Sequence, residues 1–204
     1  MRALLGVSRA IDAVTGWLGR WVAWCIVAAV LISAGNAIIR KLFDSSSNAW
    51  LEMQWWLFGI VFLLCAPWTL SSNEHIRIDI VNSMFPKWLK HTVEVVGHVF
   101  FLMPMAIVMI YTSVPFFLSS FYLNEQSTNA GGLPQWPAKF LVPLGFALLL
   151  IQGISELIKR LAIITGDLQE TASGGGHHAA AEAEAKRLQE ALEEEARKRA
   201  GATA

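Results

Sequence analysis

Charge is scarce in this sequence, and over long stretches there is none. Asp, Glu, Lys and Arg make up only 16% of the residues, and many of these sit within the last forty positions. Acidic and basic residues balance at sixteen each, so the basic excess that a nucleic-acid partner would require is missing. Only two cysteines occur, Cys25 and Cys65, each inside an apolar run. Without a CxxC spacing or a disulfide framework they read as small packing residues, with no redox or metal role. There is no Gly-rich phosphate loop, no Ser/His/Asp set and no zinc spacing, so no catalytic constellation and no enzyme is expected. A bis-histidine haem is disfavoured, because His91 and His98 lie seven apart on one helix and no second spanning helix supplies a partner. Alternating ten-residue segments, the mark of a membrane β-barrel, are also lacking.

Apolar residues dominate, at 54% of the chain with nine Trp and eleven Phe. Four runs are long enough to cross a bilayer, which takes about twenty apolar residues in a helix. They are Trp21 to Ile39, Met53 to Asn73, Val95 to Leu123, and Phe140 to Ser155. The last is short, but flanking Lys139 and Lys159 can snorkel and let it span. The expected fold is therefore an all-α integral membrane protein with four transmembrane helices, at about 21–41, 52–72, 92–122 and 138–162. The first run is too long for a signal peptide, and no small-residue cleavage motif follows it. Pro104 and Pro115 are expected to kink the third helix, which at roughly 30 residues exceeds one crossing and must tilt, bend or project.

Residues 1–20 form a separate unit in this reading. Leu4, Ile11, Val14, Leu18 and Trp21 recur near helical spacing, with Arg2, Arg9, Asp12 and Arg20 on the other side. That pattern fits an amphipathic helix lying in the interface, or equally an extension of the first spanning helix. Residues 166–204 form a third unit. A Gly linker at 174–176 leads into a run of Ala, Glu, Lys, Arg and Leu with i,i+4 pairs such as Glu193/Arg197, a solvated helix with no core of its own. His177 and His178 on that linker are weak evidence for metal.

Placing the N-terminus inside puts eight basic residues in inner segments against Arg40, Lys41 and Lys139 outside, before counting the five of the tail. The expected topology is both termini cytoplasmic. Two places invite a functional reading. In "SSNEHIRIDIV" the ionisable Glu74, His75, Arg77 and Asp79 fall within six positions, and His75, Arg77 and Asp79 alternate with isoleucines. A metal or proton-relay role is possible in principle, but Arg77 among carboxylates favours ion pairing in a cytoplasmic turn. Glu52 opens the second helix at its outer end, where the positive end of the helix dipole favours an anion, amid Trp50, Trp55 and Trp56 of an interfacial belt. It reads as a helix-end or subunit-contact residue, the alternative being a transport carboxylate.

Three features together resemble the small membrane subunit of tripartite ATP-independent periplasmic (TRAP) transporters, the DctQ-like permeases. They are "LEMQWWLFGIVFLLCAPWTLSSNEHIRIDI", with Glu52 at its start and His75, Arg77 and Asp79 at its end; the four-helix, both-ends-inside layout; and "EQSTNAGGLPQWPAKFLVPLGFALLLIQGISELIK". The Gly-Leu-Pro-x-Trp loop is similar to the branch labelled mannitol/chloroaromatic, a label that is a poor guide to substrate. The resemblance implies a bacterial inner-membrane protein that packs beside a large permease subunit and widens its fixed scaffold. It also implies a periplasmic binding protein that captures a small organic acid, and sodium ions held by the large subunit, with no cofactor here. His75, Arg77 and Asp79 would then form a cytoplasmic structural elbow. Glu125 and Trp136 in the outer loop would be candidates for periplasmic contact, and Glu52 and Trp55 for subunit contact. Two rival functions stand beside this one: a self-sufficient small oligomeric carrier or channel using Glu52, and a membrane anchor for a redox enzyme.

Overall fold

The computed structural model describes residues 2–44, 47–72 and 87–165. His75, Arg77, Asp79 and the charged tail from residue 166 lie outside the described residues. Five α-helices and one π-turn make up the described chain: α1 Arg2–Phe43, α2 Asn48–Ser71, α3 Lys87–Val96, the π-turn Gly97–Leu102, α4 Met103–Tyr122 and α5 Trp136–Ile164. Among the described residues four stretches are long and apolar enough to cross a membrane: Ala3–Phe43, Asn48–Ser71, Thr92–Tyr122 and Trp136–Ile164. The fold is all-helical, as the apolar runs predict.

Residues 1–20 belong to α1. The backbone is helical without a break from Arg2 to Phe43, so the N-terminal stretch is collinear with the first apolar run. At 1.5 Å per residue its 42 residues reach about 63 Å, roughly twice the hydrocarbon thickness. The expected two-sided pattern is present, but the roles of the sides differ from expectation. Leu4, Val14 and Trp21 point outward, at 50–63% exposed, while Ser8 and Thr15 are buried and Asp12 is half-buried. Arg9 and Arg20 stay exposed. Asp12 turns inward because α5 supplies its partners.

α5 is the spine of the bundle. It packs against α1, α2, α4 and the π-turn, whereas the third span is attached chiefly through α5. Close approach relies on small residues, as is usual where hydrocarbon removes the hydrophobic drive between helices. Ala106, Ser113 and Ser120, each seven apart, form the buried seam of α4. Gly145 of α5 lies against Leu63 of α2: a Cβ there would sit 2.8 Å from the Leu63 Cβ and 3.1 Å from its carbonyl oxygen. That carbonyl is the one Pro67 leaves without a helical donor, since Pro has no N–H. Gly19 of α1 faces Trp68 of α2, and a Cβ there would meet the indole at 2.7 Å.

The third span handles its prolines unequally. Ahead of Pro104 the helix widens into the π-turn, with the Met103 N–H donating to the carbonyl of His98, five residues back. Widening relieves the clash that the Pro104 ring would make with the carbonyl four residues earlier. Pro115 sits inside α4, which continues to Tyr122.

The Gly19 contact gives a direct test. Gly19→Val forces the Trp68 ring out of the α1–α2 seam and is expected to cost about 1–3 kcal/mol, the usual range for overpacking. Gly59→Ala, in α2 with nothing within 4 Å of the added carbon, is expected to leave stability unchanged or slightly raised. Thermal unfolding of both variants in detergent checks the pair.

Candidate functional site

Polar side chains gather at the two ends of the bundle. At the first end, the chain between α4 and α5, residues 123–135, folds over the start of α2. The Glu52 carboxylate is 3% exposed and is fully engaged. One oxygen, Oε1, accepts from the Ser127 hydroxyl and from Asn129 Nδ2 at 2.9 Å; the other, Oε2, accepts from the backbone N–H of Leu133 at 2.6 Å. Asn48, in the first turn of α2, donates to the Ala130 carbonyl at 2.9 Å.

The paired glycines in "NAGGLPQWP" have different jobs. Gly131 takes a φ of 70°, a left-handed conformation that disfavours side chains. Gly132 makes room: a Cβ there would lie 2.7 Å from Glu52 Oε1 and 2.5 Å from the Ser127 Cβ. The loop is thus moulded around the carboxylate, which also sits near the positive end of the α2 dipole.

Glu125 closes the other side of the loop. Its carboxylate pairs with Lys139 of α5, and the Lys139 Nζ lies 4.3 Å from the Phe116 ring centroid. The ammonium therefore meets a carboxylate and an aromatic face. The hydrogen bond and the charge of Lys139 hold the Glu125 carboxyl below the usual carboxylate range. Trp136 stands edge-on to Phe121, with ring centroids 5.3 Å apart. Trp55 is 65% exposed and takes no part in the Glu52 cluster. Of the residues singled out from sequence, Glu125 and Trp136 join the same loop assembly as Glu52, while Trp55 stands apart.

At the opposite end lies a network that the sequence pattern did not announce. Asp12 Oδ1 accepts from Gln152 Nε2 at 2.7 Å and from the Ser155 hydroxyl at 3.1 Å. Asp12 Oδ2 accepts from Lys159 Nζ at 3.0 Å, and Lys159 also reaches Glu156 at 2.5 Å. Ser8 and Ser155 hydroxyls lie 2.7 Å apart, and Thr15 donates to Gln152 Oε1 at 2.9 Å. Gln152 and Ser155 are completely buried. Beside this set, Arg160 pairs with Glu94 of α3 at 2.9 Å. One signal was available: Ser8, Asp12, Thr15 and Gly19 share a helical face, as do Gln152, Ser155, Glu156 and Lys159.

Among the described residues no group of three or more His, Cys, Asp or Glu could hold a metal ion, and Cys25 and Cys65 are free thiols. The buried carboxylate and the charged network are satisfied within the chain, so the sites act as ties between helices.

The model of the DctQ component of tripartite ATP-independent periplasmic transporters matches residues 29–162. The chain belongs to this family. No curated protein and no solved structure matches it. The matched span takes in the rest of α1 from residue 29, α2, the Glu52 loop and nearly all of α5. The molecule is thus a small TRAP transporter subunit, a multi-pass protein of the inner membrane, and its family is one of transporter subunits rather than enzymes.

Two outcomes follow for the loop of this DctQ-type subunit. Gly132→Ala pushes a methyl into the Glu52 carboxylate, and Glu52→Ala strips three donors of their acceptor. Both are expected to raise amide hydrogen exchange at residues 124–135 by on the order of tenfold or more, given that a hydrogen bond to a charged group contributes about 1.5–3 kcal/mol. The Glu125–Lys139 tie also has a defined pH response. A carboxyl lowered in the folded state adds stability that is present above its ordinary range and is lost as pH falls through the lowered value. Exchange at Gln135, whose N–H donates to the Glu125 carbonyl at 2.8 Å, should therefore show no added opening until pH drops below the usual glutamate range. Glu125→Gln should remove that acid-dependent step.

Proposed function

We propose that this DctQ-type subunit is a non-enzymatic scaffold. It packs against the large TRAP permease subunit, which carries a small organic acid inward with sodium ions after delivery by a periplasmic binding protein. Both termini lie in the cytoplasm, so the loop clamped by Glu52 faces the periplasm, where the binding protein arrives. Sodium and substrate are handled by the large subunit, and this chain needs no cofactor.

The observation that carries this reading is the state of Glu52. A transport carboxylate must be free to exchange its ion or proton, whereas this one holds Ser127, Asn129 and Leu133 in a fixed arrangement. The charged residues at the other end are likewise tied to one another across α1 and α5. A body stapled at both ends suits a fixed support for a moving neighbour.

Glu52→Gln tests the role. The amide keeps one acceptor and turns a donor toward a donor, so the loop is loosened but not lost. Uptake by the reconstituted three-part system, normalised to intact complex, is expected to fall by a few-fold. Intact complex with no uptake would make Glu52 a functional carboxylate and end the scaffold reading. The orientation has its own check: Thr128→Cys should react with a membrane-impermeant thiol reagent in intact cells, and Ala3→Cys only after the membrane is opened. The reverse pattern would invert the topology.

A further inference from the structure

α1 and α2 leave an open groove between them, with a volume of about 690 Å³. Ala29, Val30, Ser33 and Ala37 of α1 line it, with Trp55 and Phe58 of α2. Ala29, Ser33 and Ala37 are four apart, so small side chains follow one another along a single line of the helix. The lining runs from Ile26 to Ala37, about 16 Å of helix at 1.5 Å per residue. That is half of a hydrocarbon core about 30 Å thick, the depth of one leaflet. A docked membrane helix would need a track through both leaflets.

The groove ends at positive charge. One turn beyond Ala37 come Arg40 and Lys41, both exposed, and neither forms an ion pair or side-chain hydrogen bond within the described residues. Asp44, the nearest carboxylate along the chain, is exposed and pairs with neither.

We propose that this groove seats one acyl chain of an anionic glycerophospholipid, with the headgroup phosphodiester held by Arg40 and Lys41. The half-bilayer depth fits a lipid tail, and the paired cations fit a phosphate with net negative charge. A zwitterionic headgroup would bring its own ammonium toward two cations. The bound lipid completes the α1–α2 face that the small residues leave unfilled.

The test uses the full-length chain, delipidated in detergent and titrated with phosphatidylglycerol or phosphatidylcholine under native mass spectrometry. Phosphatidylglycerol is expected to bind more tightly. Arg40→Gln combined with Lys41→Gln should weaken it on the order of tenfold or more and bring the two lipids level. Ser33→Phe, which fills the groove and spares the cations, should also reduce phosphatidylglycerol binding. Arg20→Gln, an exposed cation at the other end of α1, should leave it unchanged. Equal binding of the two lipids by the unaltered chain would overturn the proposal. So would phosphatidylglycerol binding that survives Ser33→Phe, which would leave the groove to another occupant, or an equal loss in Arg20→Gln, which would reduce the effect to general charge attraction.

Discussion

Hydrocarbon offers no hydrogen bonds, and that constraint orders this structure. Backbone groups must be satisfied within each helix, so the chain is helical throughout its described spans. Polar side chains within or beside those spans must find one another. The buried set among the described residues accordingly holds Ser8, Thr15, Asn36, Glu52, Ser113, Ser120, Gln152 and Ser155, against only six buried Ala, Val and Leu residues. Large apolar side chains instead point out, among them Trp24, Phe62, Phe101 and Tyr111. In water such an arrangement would be inverted; in lipid it is what solvation requires.

From that constraint come the two polar ends and their common spine. α5 joins the Asp12 network through Gln152, Ser155 and Lys159 at one end, and the Glu125 tie through Lys139 at the other. The first network fixes α1 to α5, while Glu52 fixes the α4–α5 connection to α2. Breaking one member of such a set costs more than the set contributes as a whole, because the remaining charge is left in a poor environment. The proposed scaffold role draws on these ties at the two ends of the bundle.

Much of this was legible in the sequence, and what was not has a physical reason. Helix number followed from apolar runs of bilayer length, and the last three spans fall within a few residues of expectation, while the first apolar helix begins at Ala3 instead of residue 21. Glu52 was recognisable as a helix-end residue, but its partners were not, because Ser127, Asn129 and Leu133 are 75 to 81 positions away. The inward turn of Asp12 was hidden for a similar reason. Amphipathic spacing identifies two faces of a helix but not which one meets protein, and lipid reverses the rule that holds in water. The π-turn at Gly97–Leu102 was also unforeseen: Pro104 predicted a disturbance, yet the form it takes depends on local helix packing.

Membership of the DctQ family places this helical body, with its charges tied at both ends, in a tripartite transporter. In the proposed scaffold role this subunit adds area and rigidity in the bilayer while the large subunit carries the substrate. The most direct measurement is sodium-driven uptake into liposomes holding this chain alone, the large subunit alone, or both, each with the binding protein supplied outside. The account predicts uptake only when both membrane subunits are present. Uptake by this chain alone would contradict it.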